Sequence, residues 1–273
     1  MVIRTNNIFK SVGATCFAGA LALGGLSGCE QQGAACATAH GGFAVKLTMK
    51  GDTAGACADN LGGVFGAATY NYVGDEGRPD LDRASMAIQA EALGITVAEA
   101  EGRLGETADP DGKMYARGDF ATSEPDGKEV CSVPSLTKAE VNIPLLPLIP
   151  AVPDDPATEE DESEPEVPEV PATTYVYDWS NVKFLVSEAN QGTRFTGTLK
   201  YSVDDCTAEY DAVGLYPAVF CADEEGNPVD GLCSAEPIAD LGMVTGSGIS
   251  PDFVTKCDPD LLLCVLAERP ATE

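Results

Sequence analysis

The chain has 273 residues, 44 of them acidic and 16 basic, for a net charge of −28. Such a field repels nucleic acid and anionic membrane surfaces, which excludes nucleic-acid binding as a first reading. Ten cysteines and a single histidine make a disulfide framework more natural than His-rich zinc or His-based catalytic chemistry.

The first ten residues, MVIRTNNIFK, carry Arg4 and Lys10 and no acid, and an uncharged stretch, SVGATCFAGALALGGL, follows. This is the layout of a secretory signal over 1–28. The apolar stretch is shorter than the roughly 20 residues that a membrane-spanning helix needs. Leu26-Ser27-Gly28-Cys29 then resembles the lipobox of bacterial lipoproteins. That resemblance implies a diacylglyceryl group on Cys29, which becomes the first residue after cleavage. The expected product is tied to the membrane by lipid at Cys29 in the bacterial cell envelope. Residue 30 is Glu. An Asp there would resemble an inner-membrane retention signal, so the outer membrane is favoured over the inner, with its face left open.

Cysteine parity agrees with the lipobox. Cys16 leaves with the signal, and Cys29 carries lipid. Cys36, Cys57, Cys131, Cys206, Cys221, Cys233, Cys257 and Cys264 remain, an even set as expected of an exported chain. Removing the two basic residues of the signal takes the net charge of the remaining 245 residues to −30. The tether, 29–35, leaves six residues between Cys29 and Cys36. At about 3.3 Å each they span roughly 20 Å, so the folded part is expected close to the bilayer.

From 36 to 273 the sequence reads as one β-rich domain. FAVKLTMK alternates Phe43, Val45, Leu47 and Met49 with Ala44, Lys46, Thr48 and Lys50, which predicts a half-buried strand. His40, just before it, is expected at the surface of the strand entrance. VFGAATYNYV (64–73) predicts a second strand. ITVAEAEGRL (95–104) predicts a short helix, with Thr96 and Glu99 at capping-box spacing. DPDG (109–112) and EPDG (124–127) predict turns around a short strand near 114–120.

Residues 151–174, AVPDDPATEEDESEPEVPEVPATT, hold nine acids, five prolines and no basic residue. Self-repulsion and proline predict a disordered acidic internal loop. Beyond it, YVYDWSNVKFLV (175–186) and RFTGTLKYSV (194–203) predict a hairpin with one wet face. AEYDAVGLYPAVFC (208–221) predicts a third strand with Pro217 at an edge or bulge, and LLLCVLA (261–267) a buried last strand. The fold class is thus mainly β: antiparallel, sandwich-like and disulfide-stapled, with a short helix.

Three candidate cysteines precede the acidic loop and five follow it, so complete pairing needs at least one bridge across it. The expected pairs are Cys221–Cys233 and Cys257–Cys264 as local bridges and Cys131–Cys206 as the crossing one. The sequence contains no C-x-x-C, G-x-S-x-G, Walker or dinucleotide fingerprint. Asp223, Glu225, Asn227 and Asp230 cluster in DEEGNPVDG and could offer oxygen ligands to Ca²⁺, without EF-hand spacing. GDEGRPDLD (74–82) is a poorer version of the same pattern. The leading expectation is a non-catalytic structural or binding role with no cofactor, the identity of any protein or glycan partner being left open. The alternatives are a calcium-dependent adhesion domain and a carboxylate-based hydrolase.

Overall fold

In the computed structural model, residues 34–152 and 165–270 are described. The signal, Cys29 and residues 153–164 of the acidic loop lie outside them. The alternating FAVKLTMK run lies in β1 (Gly41–Lys50), which buries Phe43, Val45 and Leu47 and turns Thr48 and Lys50 to water. β2 (Gly62–Val73) pairs antiparallel with it. Next come β3 (Pro79–Ala90), α1 (Glu91–Leu104), β4 (Ala116–Asp119), β5 (Val130–Ser135) and β6 (Ala139–Ile143). β7 (Thr173–Val186), β8 (Gln191–Val203) and β9 (Cys206–Leu215) form the predicted meander.

The strands lie side by side in the order β4-β3-β2-β1-β9-β8-β7-β5, with β6 on the other end of β7. β9 returns to β1, placing Leu215 opposite Ala44 and Glu209 opposite Lys50. At the open edge, Ala121 N–H donates to the Ser132 carbonyl at 2.8 Å and Thr137 N–H to that of Arg117 at 2.7 Å. The sheet is therefore antiparallel and rolled until its edges nearly meet, so the sandwich-like packing takes the form of an almost closed up-and-down barrel.

A barrel of about eight strands is just wide enough for side chains to fill it. Here aromatic rings do so. Phe43 and Phe195, and Phe184 and Phe195, sit 5.4 Å apart between ring centroids, and Phe65 meets Trp179 edge-on at 5.5 Å. Gly214 makes room for this packing, since a Cβ there would collide with the Phe195 ring.

α1 starts four residues before the expected ITVAEAEGRL and buries Leu93, Val97 and Ala100 in the barrel core. Thr96 is not its cap. Its hydroxyl donates back to the Ala92 carbonyl at 2.9 Å, the alternative bond that Thr side chains make inside a helix. Gly105 ends α1 in the left-handed region, with its N–H on the Glu101 carbonyl.

After β9 the chain builds a smaller cluster around Cys221, Cys233, Ile249, Cys257 and Cys264. Its regular structure is slight: β10 (Thr255–Cys257) pairs with β11 (Cys264–Leu266), the short core of the predicted last strand. Asp258 holds this module to β1 through an ion pair with Lys46, and Arg269 reaches Asp211 of β9 at 2.5 Å.

All eight candidate cysteines are paired, but differently from the expected scheme. The bridges are Cys36–Cys131, Cys57–Cys206, Cys221–Cys257 and Cys233–Cys264. Cys57–Cys206 is the crossing bridge. Cys257 and Cys264 do lie opposite each other across β10 and β11, but their sulfurs bond Cys221 and Cys233, so both expected local bridges are replaced by two that tie the pair to the preceding loop.

The acidic loop needs correction at both ends. Thr173 and Thr174 belong to β7, and residues 146–149 pair with 167–170. Proline ends ordinary strands, yet here it supports a paired arm.

Candidate functional site

Two ends of the barrel differ in what they present. At one end, residues 36–40 are stitched down. Cys36 is bonded to Cys131 and its N–H donates to the Ser123 carbonyl at 2.8 Å. Thr38 N–H reaches the Thr69 hydroxyl at 2.8 Å, and Ala39 N–H the Gly192 carbonyl at 3.0 Å. His40 is exposed at the entrance of β1, its Nε2 3.0 Å from both backbone polar atoms of Thr69. The partners come from β2, the β4–β5 loop, the start of β5 and the start of β8, and these share one end.

The opposite end carries α1 and the proline-rich arm. β7 runs between the two ends, from Thr173 at the arm to Val186 by the N-terminal clamp. At about 3.3 Å per residue, and allowing for strand tilt, the ends are roughly 30 Å apart. In the arm, Leu146 and Val170 exchange N–H···O bonds of 2.9 and 3.0 Å, and Ile149 and Val167 do likewise at 2.9 and 3.0 Å. Arg103, in the last turn of α1, clamps both strands of the arm. Its Nη2 donates to the Pro147 carbonyl at 2.5 Å and to that of Pro168 at 3.0 Å. Sequence reading missed this residue and the arm itself. The available signal was the spacing of the prolines, one at every third position.

The expected calcium ligands do not converge. Asp223 accepts from the N–H of Asn227 at 2.7 Å, that of Glu225 at 3.1 Å and the Asn227 side-chain amide. These bonds, the backbone ones first, hold its carboxyl below the ordinary 3.8. Asp230 instead accepts from Cys257 N–H at 2.8 Å. Glu225 is exposed. Asp223 thus braces its own loop, as Asx turns do, and Asp230 ties that loop to β10. In 74–82, Glu76 pairs with Arg78 at the surface. Among the described residues, the one close group of metal-ligating types is Cys221, Cys233 and Cys264, all oxidised in bridges.

The ionisable groups directed into the core are phenols. Burial pushes Tyr177 and Tyr201 above the ordinary tyrosine value, with each ring close to the other. Two grooves lie on the outer wall. One, of 480 Å³, is floored by Gly66, Ala68 and Ala87 between Tyr70 and Tyr115. The other, of 520 Å³, gathers Lys128, Lys183, Arg194 and Arg269 beside Asp126 and Asp211. Among the described residues, no helix is long and apolar enough to cross a membrane.

A family model, MlpA, matches residues 41–217. A stretch of 88 residues is 33% identical to a Myxococcus xanthus protein named "Putative lipoprotein MlpA", covering 32% of this chain and 33% of that protein. The chain therefore spans well under two thirds of that relative. No solved structure matches. The family match opens at the first residue of β1 and closes two residues after β9, so it coincides with the barrel and leaves the disulfide-bonded C-terminal module outside. By this match over most of its length, the chain belongs to the MlpA family.

Proposed function

We propose that this protein is a lipoprotein of the bacterial cell envelope, anchored through lipid on Cys29, whose barrel has a binding or structural role rather than a catalytic one. The observation that carries the anchoring is the covalent and hydrogen-bonded clamp at Cys36. It fixes the chain to one end of the barrel only six residues after the lipobox cysteine. The lipoprotein name of the Myxococcus relative supports it. One acyl chain holds a protein to a bilayer marginally, whereas two or more hold it stably.

A non-catalytic role is supported by the core. Its space is taken by Phe43, Phe184, Phe195 and Trp179, and its buried phenols stay neutral at physiological pH. A carboxylate-based hydrolase needs one acid with a raised pKa. The described carboxylates with a resolved shift, Asp111, Asp126, Asp211, Asp223 and Asp258, all move down. The calcium alternative gains nothing from the loop geometry, because Asp223 and Asp230 already serve backbone donors.

Mass spectrometry of the N-terminal peptide of membrane-extracted protein tests the anchor. A lipid-modified Cys29 is expected, and Cys29→Ala should leave the membrane fraction and accumulate as precursor or soluble protein. An unmodified Cys29 in membrane-bound protein overturns the proposal.

A further inference from the structure

We propose that the paired arm, residues 144–152 with 165–171, is a docking element for a protein whose groove is lined by aromatic side chains and rimmed by basic ones. The anchoring reading enters only in the direction the arm faces. Proline occupies positions 144, 147 and 150 on one side and 165, 168 and 171 on the other. Proline fixes φ near −65° and drives the residue before it to extended conformations. Repeated every third residue, it sets a polyproline II helix, which has three residues per turn.

The hydrogen bonds carry that period. In a β ladder, residues on one face recur at every second position. Here the reciprocal pairs fall on Leu146 and Ile149, and on Val170 and Val167, three apart and each just before a proline. The two sides are antiparallel polyproline helices zipped along one edge each. Leu146 buries that edge in the core, and Arg103 locks it.

The other faces are turned outward. Leu145, Leu148, Ile149, Val152, Val167 and Val170 are 37–49% exposed, and the six prolines are exposed too. Leu145 and Leu148 make no hydrogen bond among the described residues. A rigid polyproline surface already holds its bound conformation, so an aromatic groove captures it at little entropic cost.

Charge and position select among occupants. No Lys or Arg lies between Lys138 and Lys183, and Glu166 and Glu169 stand exposed on the arm. A second copy would bring two acidic arms together. A lipid surface is disfavoured by its anionic headgroups, and the arm projects from the end of the barrel opposite the N-terminal clamp. A basic-rimmed groove on another protein meets both conditions.

The test places the photo-crosslinking amino acid p-benzoylphenylalanine at Leu148 of the full chain, in the cells that make it, with Asp82 on the barrel wall as control. Proline decapeptide serves as competitor, and the double substitution Pro147→Ala, Pro168→Ala as the matched variant. The expected result is an adduct with a different protein at position 148 and none at 82. It should map beside an aromatic residue of the partner and fall at least fivefold with the decapeptide and in the variant. Adducts only to a second copy or to lipid, no adduct, or one indifferent to the decapeptide and to the substitutions overturns the proposal. An unchanged melting temperature of the variant separates lost docking from lost folding. Lipid mass on Cys29 in the same preparation keeps this outcome apart from that of the anchor.

Discussion

Asp258 joins two parts of the molecule with one carboxylate. It pairs with Lys46 of β1 and accepts the N–H groups of Asp260 at 3.1 Å and Leu261 at 3.2 Å. Burial alone would raise its pKa, but Lys46 and the backbone donors outweigh burial and hold it below the ordinary 3.8. A carboxyl depressed in the folded state stabilises above its unfolded pKa, and that contribution fades as pH falls through the folded value. Stability should therefore drop below about pH 4. Asp258→Asn should cost about 1–3 kcal/mol at pH 7 and show a shallower loss on acidification. Melting both proteins at pH 7 and pH 3 checks this, and parallel pH profiles would remove Asp258 from the account. Little of this was legible in the sequence. Lys46 lies 212 positions away, and an Asp in CDPD has nothing local to mark its partner. The acids that did stand out, in 223–231, owe their density to turn-making.

At the scale of elements, legibility followed local period. β1, β7 and β8 alternate apolar and polar residues and were found close to their true bounds. β3 was missed because PDLDRASMAIQA sets small and charged residues among its inward Met86 and Ile88 and opens beside an acidic turn. β5 and β6 are short, and Pro134 interrupts the first. The arm is hidden from a reading by period two or 3.6 because proline breaks strands and helices, whereas its even spacing here creates a different regular structure. Arg103 gives a direct handle on that element. One guanidinium serves both sides of the arm, so Arg103→Ala should loosen the arm without melting the barrel. Amide exchange at Leu146, Ile149, Val167 and Val170 should quicken about tenfold, the equivalent of roughly 1.4 kcal/mol. Exchange rates unchanged at those four amides would show that the clamp is dispensable.

At the scale of the molecule, the bridges divide unevenly about residues 153–164. Cys36–Cys131 lies wholly before that segment, and the two C-terminal bridges wholly after it, which leaves Cys57–Cys206 to span it. A protease specific for acidic residues that cuts between 152 and 165 should yield two fragments that run together on a denaturing gel until reductant is added. In the double variant Cys57→Ala, Cys206→Ala they should part without reductant. Fragments of the parent that separate unreduced would contradict the pairing. The separation of 149 residues corresponds to about 5 kcal/mol in the chain-entropy model. That bridge also sits at the join of β1 and β9, where Lys50 meets Glu209. Among the described strands, six of the eight pairings around the barrel join strands consecutive in the chain, and β5 waits only for β7. The pairing of β1 with β9 is the exception, because Ala44 finds Leu215 only after 171 further residues have emerged. At 5–20 residues per second that is roughly 9–34 s, during which β1 shows one bare edge to whatever surrounds the growing chain. The first strand out is the last to acquire both neighbours, so protection of the nascent protein is needed at its beginning until its end is made.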